Sequence, residues 1–448
     1  MHTAELVERI TERDAGGIAR CLAGLIHDRA LPAGARLPTV RKLATALGVS
    51  PTTVSEAWRE LQRHGLIEAR GRAGTTVSYD PRPAAESRFG SLQPQRPGRL
   101  DLSTGTPDPA LLPSLRPAMT TAPGDARISS YFDPPVLPEL EALLRADWPY
   151  EAGELMVVDG AMDAMERVIA ETVRYGDTVL VENPTFPAIL DLLQRAGATV
   201  VGIPPGPDGP DLEPLREALA GEPACLILQP RAHNPTGHRL TGRRAAGIAA
   251  LLPERTIVIE DDHSAALCQS PLVSLGGHRP EQTVHIRGFS KALGPDLRLA
   301  ALSAPPAVMR PLVGRRQLGP AWSSRLLQAM LVNLLTSDVS RAEVAAARAA
   351  YAERRLRLTT ALAAYGIAVE GHDGFNLWLP VRDESAALVH LASHGVTVAP
   401  GSPFWVNGLP RAPHVRITAA CVTDGFDELG LLLAEAAQLG SYALGPAR

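Results

Sequence analysis

The sequence predicts an α/β protein with a largely parallel sheet, preceded by a small helix-rich module. Three observations predict it. Short apolar runs, among them LMVVDGA, DTVLVENP, ATVVGIP, ACLILQP, TIVIEDD, TVHIRGF and RLAALSA, alternate with helical segments such as MDAMERVIAETVRYG and PAILDLLQRAG. Repeated strand–helix alternation is the pattern of a parallel sheet covered by helices. Residues 17–80 carry a different pattern, helices followed by two short strand-like runs. Between the two patterns, residues 81–99, PRPAAESRFGSLQPQRPGR, are rich in Pro, Arg, Gln and Ser and lack apolar periodicity, so they read as a linker.

In the first module GIARCLAGLIHDRAL places apolar residues at helical spacing, and PAGARLP breaks the helix. TVRKLATALGV is a short amphipathic helix ending at Gly48, and SPTTVSEAWRELQRHG opens with a Ser cap and Pro51 at its first helical position and stops at Gly65. LIEAR and TTVSY are strand-like runs joined by GRAG. Helix, helix–turn–helix and a two-stranded wing form a layout that reads double-stranded DNA, with the start of the second helix of the pair facing the major groove. Ser50, Thr52, Thr53 and Ser55 are placed to reach bases or phosphates, and Arg41, Lys42, Arg59, Arg70 and Arg72 to clamp phosphates or enter the minor groove.

Composition narrows the classes. A chain of 448 residues holds two or three domains, and 45% apolar residues exclude global disorder. The net charge is −4, and residues 1–80 carry 11 Lys plus Arg against 9 Asp plus Glu, so a surface for nucleic acid must be local. The four cysteines are far apart with no CxxC or Cys/His cluster, which argues against structural zinc or any other metal. The N-terminus has no apolar signal core and the chain no run of 18 apolar residues, so a cytoplasmic protein without a membrane span is expected. The chain has 42 arginines and only two lysines, Lys42 and Lys291. Arg supplies positive charge but cannot form an imine with an aldehyde; a retained Lys can.

Lys291 follows the strand-like run TVHIRGF, with Ser290 before it and Arg298 seven residues on. That spacing suits an amine that must reach an aldehyde while a cation anchors a phosphate. Four features upstream each sit at the end of a strand-like run. DGAMDAM opens a helix whose Ala161 and Met162 amides can hold a phosphate. VENPTF offers the Phe186 ring to stack on a pyridine. HNPTG puts Asn234 at a sharp turn, suited to donate to a phenolate oxygen, and VIEDDH ends a strand-like run with Asp261, a carboxylate able to pair with a protonated pyridine nitrogen.

LPTVRKLATALGVSPTTVSEAWRELQRHGLIEARGRAGTTV resembles the winged helix of GntR regulators, with Pro51 where that family often has Arg. The large-domain motifs resemble fold-type I, class I aminotransferases that bind pyridoxal 5′-phosphate (PLP), and the fusion resembles the MocR/GabR subfamily of GntR-type transcription regulators. The resemblance implies residues 1–80 as the DNA-binding domain, 81–99 as linker and 100–448 as the aminotransferase-like domain. Within the last, the large domain covers about 145–335, and the small domain 100–144 and 336–448. LDLSTGTPDPALLP and SYFDPPVLPEL resemble family segments, and Tyr131 is implied to reach the phosphate in the second subunit of a homodimer. HVRIT implies that Arg416 binds a ligand carboxylate. Three positions depart from the family: His263 replaces a tyrosine near the phenolic oxygen, Gly288 replaces Ser or Thr, and Val136 replaces Gly. The implied function is regulation of transcription in response to PLP or an amino compound, with aminotransferase turnover as the alternative.

Overall fold

The computed structural model describes residues 3–27, 30–32, 34–63, 66–69, 74–78, 87–92, 98–120, 130–406 and 412–440. The chain divides into two compact units, the first essentially residues 1–87 and the second beginning at Arg88.

The first unit has helices at Ala15–His27, Val40–Leu47 and Pro51–Arg63, and an antiparallel pair, Ile67–Ala69 with Thr75–Val77, that forms the wing. A helix at Thr3–Arg9 was not legible in the sequence; its seven residues bury only Leu6, too little for a periodic signal. Thr39 caps Val40–Leu47 by accepting a hydrogen bond from the Lys42 amide, and Gly48 ends the helix in the left-handed region. Leu6, Ile18, Leu22, Leu43, Leu61 and Ile67 are fully buried and make one core. In Pro51–Arg63 the burial of Val54, Ala57, Trp58 and Leu61 leaves Thr52, Ser55 and Arg59, at helical spacing, on another face.

The second unit is built on a seven-stranded sheet in the order Glu154–Val158, Ala300–Ala304, Thr283–Gly288, Ile257–Asp262, Cys225–Leu228, Thr178–Glu182 and Thr199–Ile203. Cys225–Leu228 pairs in parallel with both Thr178–Glu182 and Ile257–Asp262, which in turn pairs in parallel with Thr283–Gly288. Only Ala300–Ala304 is seen to run against its neighbours. Continuous aliphatic runs such as CLIL are buried over their whole length, as strands covered on both faces must be. The carboxyl ends of the parallel strands therefore lie along one edge, and the loops that follow them converge there.

A second sheet orders Asn376–Pro380, His414–Thr418, Val396–Pro400 and Leu100–Leu102. The expected long charged helix is Asp338–Ala363. The stretch 100–144, expected in the small domain, divides: Leu100–Leu102 pairs with Val396–Pro400, whereas Pro138–Ala146 packs its Leu140 and Leu144 into the core shared with Leu331 and Leu334. Part of the stretch read as linker is also anchored. Arg88 donates from its backbone to Asp191 and from its guanidinium to the carbonyl of Trp405 (2.8 Å), and Leu92 is buried. Residues 81–86 and 93–97 of that stretch lie outside the described residues.

Candidate functional site

The strand-end loops and the small sheet enclose a cavity of about 440 Å³. Ala161, Met162, Phe186, Asn234, Asp261 and His263 line it, together with Ser290, Lys291, Arg298 and Arg416. The structure thus brings together all the residues expected around a cofactor except Tyr131. That residue is 87% exposed, with its ring 5.9 Å from Trp322. Val136 is buried in the core, and a Cβ at Gly288 would stand 3.5 Å from its nearest neighbours, so packing does not demand glycine there.

Lys291 sits on the short helix Ser290–Leu293 directly after Thr283–Gly288, and its Nζ donates to the carbonyl of Gly105. Burial and then the nearby Arg416 charge lower its pKa to about 8, against the opposing pull of Asp261. A lysine so placed carries a larger neutral, nucleophilic fraction near neutral pH than an ordinary one. Arg416, in the middle of His414–Thr418, is 1% exposed and lies opposite Trp378 across the strand pair. It donates to the carbonyl of Ser103 and weakly to Asn234 Oδ1 (3.4 Å), its Nε has no hydrogen-bond partner, and burial lowers its pKa to about 10. Gly105 passes so close that a Cβ would be 2.9 Å from Arg416 Nη1, and its φ of +64° is in the region that favours glycine.

Asp261 is 4% exposed; its Oδ2 accepts from Gln229 Nε2 at 2.7 Å, and Oδ1 is buried without a hydrogen-bond donor. His263 likewise has its Nδ1 beside Ser264 Oγ (2.9 Å) and a buried, unpartnered Nε2. Burial pushes the His263 pKa down, with Asp261 opposing. A carboxylate oxygen left over in a dry site, facing the same cavity as a nucleophilic lysine, fits a protonated heterocycle nitrogen. Gly160, at φ +114°, turns the chain into the helix Ala161–Thr172, whose first turn opens on the cavity beside Arg298. An anion is favoured at that helix start. Arg298 holds a left-handed backbone (φ +48°) and donates to the Asp159 carbonyl (3.2 Å).

Sequence reasoning missed Gln229, Phe89 and Leu92, which line the cavity, and gave no role to Ser103–Thr106, which also line it and lie in the segment LDLSTGTPDPALLP. Gln229 also accepts the Asn234 amide at 2.8 Å, and its own amide donates to the buried Glu182 (2.8 Å). Its signal was its place directly after ACLIL. Phe89 packs edge-on against Phe186, ring centres 5.5 Å apart, and is the lone aromatic in its Pro- and Arg-rich surroundings.

On the first unit, Arg41, Lys42, Ser50, Thr52 and Arg59 are exposed, and Thr53 and Ser55 are half-buried. Ser50 Oγ caps its helix by accepting the Thr53 amide (3.1 Å) and pairs with Thr53 Oγ1 (2.9 Å), so these two hydroxyls already serve each other. Arg59 lines a shallow hollow together with Glu56, Glu60 and Glu68. Arg70 and Arg72 lie outside the described residues. No helix among the described residues is long and apolar enough to cross a membrane, and no group of His, Cys, Asp and Glu among them is placed to hold a metal.

Fold and site define a fold-type I PLP protein joined to a winged helix. Residues 97–428 match the family model for aminotransferase class I and II, and residues 15–77 that for bacterial regulatory proteins of the gntR family. The chain is 37% identical to the vitamin B6 salvage pathway transcriptional repressor PtsJ of Salmonella typhimurium, covering 89% of this chain and 92% of that one. It is 28% identical to the HTH-type transcriptional regulator YdcR of Escherichia coli, over 89% and 91% of the two chains. The fold is shared with the α-aminoadipate aminotransferase LysN of Thermus thermophilus, at TM-score 0.66 and 24% identity, over 75% of this chain and 92% of that one. The chain belongs to the GntR-type transcription regulators whose winged helix is fused to an aminotransferase class I and II domain, the MocR type, and its cofactor is PLP.

Beneath the cavity floor, burial raises the Glu182 pKa from 4.5 to about 8, while burial holds His233, 3.5 Å away, down to about 3. At neutral pH both are therefore neutral when folded. In the unfolded chain Glu182 ionises above its ordinary pKa, so on folding it takes up a proton between pH 4.5 and about 8 and its contribution to stability falls as pH rises through that window, opposed below pH 6.5 by His233, which gives up a proton on folding. Glu182→Gln, which mimics the protonated acid, should gain stability relative to wild type at pH 8 but not at pH 4.5, by on the order of a few kcal/mol. Urea unfolding at the two pH values checks this; an equal effect at both would contradict a neutral Glu182.

Proposed function

We propose that the chain senses PLP itself, held through Lys291, and changes its grip on a double-stranded DNA operator accordingly. The observation that carries this reading is the convergence of Lys291 and the unpartnered Asp261 Oδ1 on one cavity with a helix start and Arg298. The 37% identity to a repressor of vitamin B6 salvage supports the choice of effector. PLP supplies an aldehyde for an amine to attack and a ring that withdraws electrons when its nitrogen is protonated. In this assignment Lys291 provides the amine, and Asp261 keeps the proton on the ring nitrogen. Asn234 and His263 would face the phenolic oxygen and Phe186 would stack on the ring. The amides of Ala161 and Met162, with Ser290 and Arg298, take the phosphate.

The exposed Tyr131 supports a homodimer in which Tyr131 of the partner subunit completes the phosphate site. A dimer presents two winged helices and so reads paired half-sites, and the setting is the cytoplasm. DNA contacts are assigned to Arg41, Lys42, Ser50, Thr52, Thr53, Ser55, Arg59, Arg70 and Arg72. Arg416 favours a second reading, capture of an amino acid: it is a buried cation with a free Nε in the same cavity. Turnover on a panel of amino acids separates an enzyme from a sensor that only binds.

Lys291→Ala and Lys291→Arg should both lose the absorbance of lysine-bound cofactor while keeping the fold, because guanidinium cannot replace the amine. Both should still bind operator DNA but no longer respond to PLP. Operator titrations with and without PLP check this, and a mutant responding like wild type would refute it.

Arg41→Ala should weaken DNA binding across all sequences and reduce its salt dependence by roughly one phosphate contact. Thr52→Ala should blur sequence preference more than it lowers non-specific affinity. Binding assays over a range of salt and operator variants distinguish the two patterns. In light scattering without DNA the protein should show twice the mass of one chain, and Tyr131→Ala should weaken PLP binding; a monomer would contradict the shared site.

A further inference from the structure

A second cavity, of about 710 Å³, shares Gly288 with the first, so the two are separated at that point by a residue without a side chain. The strand Ile257–Asp262 ends with neighbouring carboxylates. Asp261 lines the first cavity, while Asp262 is held by Arg231, a residue of the second, through two bonds of 2.8 Å. The wall of the second cavity is strongly amphipathic. Leu143, Leu144, Phe289, Leu293, Leu334 and Val344 form an apolar surface. Against it stand four guanidinium groups, from Arg231, Arg287, Arg341 and Arg348.

Two carboxylates answer part of that charge, Asp262 for Arg231 and Asp338 for Arg341 (2.5 Å). Arg287 pairs with Asp147 (3.0 Å), a side chain that is itself 90% exposed, and stands 4.0 Å from Asp262, whose two oxygens Arg231 already holds; Arg348 makes no ion pair among the described residues. Arg287 is 6% exposed and lies flat on Trp148, its Cζ 4.8 Å from the ring centre, with Nε lacking any hydrogen-bond acceptor. Ser340, 5% exposed at the start of Asp338–Ala363, has an unpartnered Oγ and lines the same wall. Buried donors without partners are costly, and two in one cavity with surplus positive charge call for an acceptor from outside the chain.

We propose that this cavity is a binding site for a small organic anion, an aryl or branched alkyl body on the apolar wall with a carboxylate or phosphate head against Arg287, Arg348 and Ser340. The chain has no lysine here, so the ligand is held without a covalent bond. The site is separate from the cofactor cavity and does not depend on which effector that cavity senses.

The test uses the full chain loaded with PLP and anilinonaphthalene sulfonate as a fluorescent probe. One saturable site per chain is expected. Phenylpyruvate and phenyl phosphate compete for it, the stronger of the two identifying the head group, and uncharged benzyl alcohol does not. Arg287→Met and Ala345→Trp should each weaken the probe by about tenfold or more. Ala345 is exposed on the cavity wall, so a bulky side chain there blocks the site without disturbing the core, which circular dichroism verifies. Lys291→Ala should leave probe binding intact. Competition between probe and PLP, loss of the probe in Lys291→Ala, wild-type binding by both cavity variants, or displacement by neither anion would overturn the assignment.

Discussion

The bond between Gln229 Nε2 and Asp261 Oδ2 organises the cofactor cavity. Gln229 uses both ends of its amide, the nitrogen toward Asp261 and the oxygen toward the Asn234 backbone, so it cannot flip without breaking both contacts. Its own backbone amide is tied to Glu182, at the end of a neighbouring strand. One side chain thus locks three strand-end loops in register and leaves Asp261 a single free oxygen in a place where water is excluded. Networks of this kind are worth most when dry and fully made, which is why Glu182 beneath them is kept neutral by its burial.

Much of this arrangement was legible in the sequence, because a parallel sheet forces function to the ends of its strands. DGAMDAM, VENPTF, HNPTG, VIEDD and SKALGPDLR each follow a strand-like run, and the loops they form meet at one cavity. What was not legible depends on contacts distant along the chain. Gln229 carries no motif; its role exists only once the strands bearing Glu182 and Asp261 flank its own. Phe89 and Leu92 sat in a stretch whose composition reads as linker, and composition does not report a clamp such as Arg88 on Asp191. The division of residues 100–144 between two cores also escaped, since Leu140 and Leu144 show an apolar face but not its partner. Arg59 was chosen as a cation on the outward face; Glu56 and Glu60 stand beside it in the sequence, but the approach of Glu68 from the strand Ile67–Ala69 becomes visible only in three dimensions.

The scarcity of lysine gives the interior an unusual electrostatic character. Arg316, Arg325, Arg355 and Arg416 are all buried, and each donates to backbone carbonyls, hydroxyls or a carboxylate, while Arg316 Nη1, Arg325 Nε and Arg416 Nε keep no hydrogen-bond partner. A buried lysine can shed its proton to escape the cost of desolvation, whereas guanidinium keeps its charge. The cofactor cavity therefore sets Lys291, an amine whose charge can change, beside Arg416, which with Arg298 is one of two permanent cations lining it. The permanent charge helps to keep the amine reactive, and it does so without competing for an aldehyde.

Phe89 and Leu92 belong at once to the cavity wall and to the stretch of chain that leads from the N-terminal unit into the strand Leu100–Leu102. Arg88, gripped by Asp191 and the carbonyl of Trp405, fastens that stretch a residue before Phe89. The point where the second unit begins is accordingly fastened to the wall of the cofactor cavity. A molecule filling the chamber meets Phe89 and Leu92 directly, one residue and four residues beyond the point where Arg88 fastens the chain.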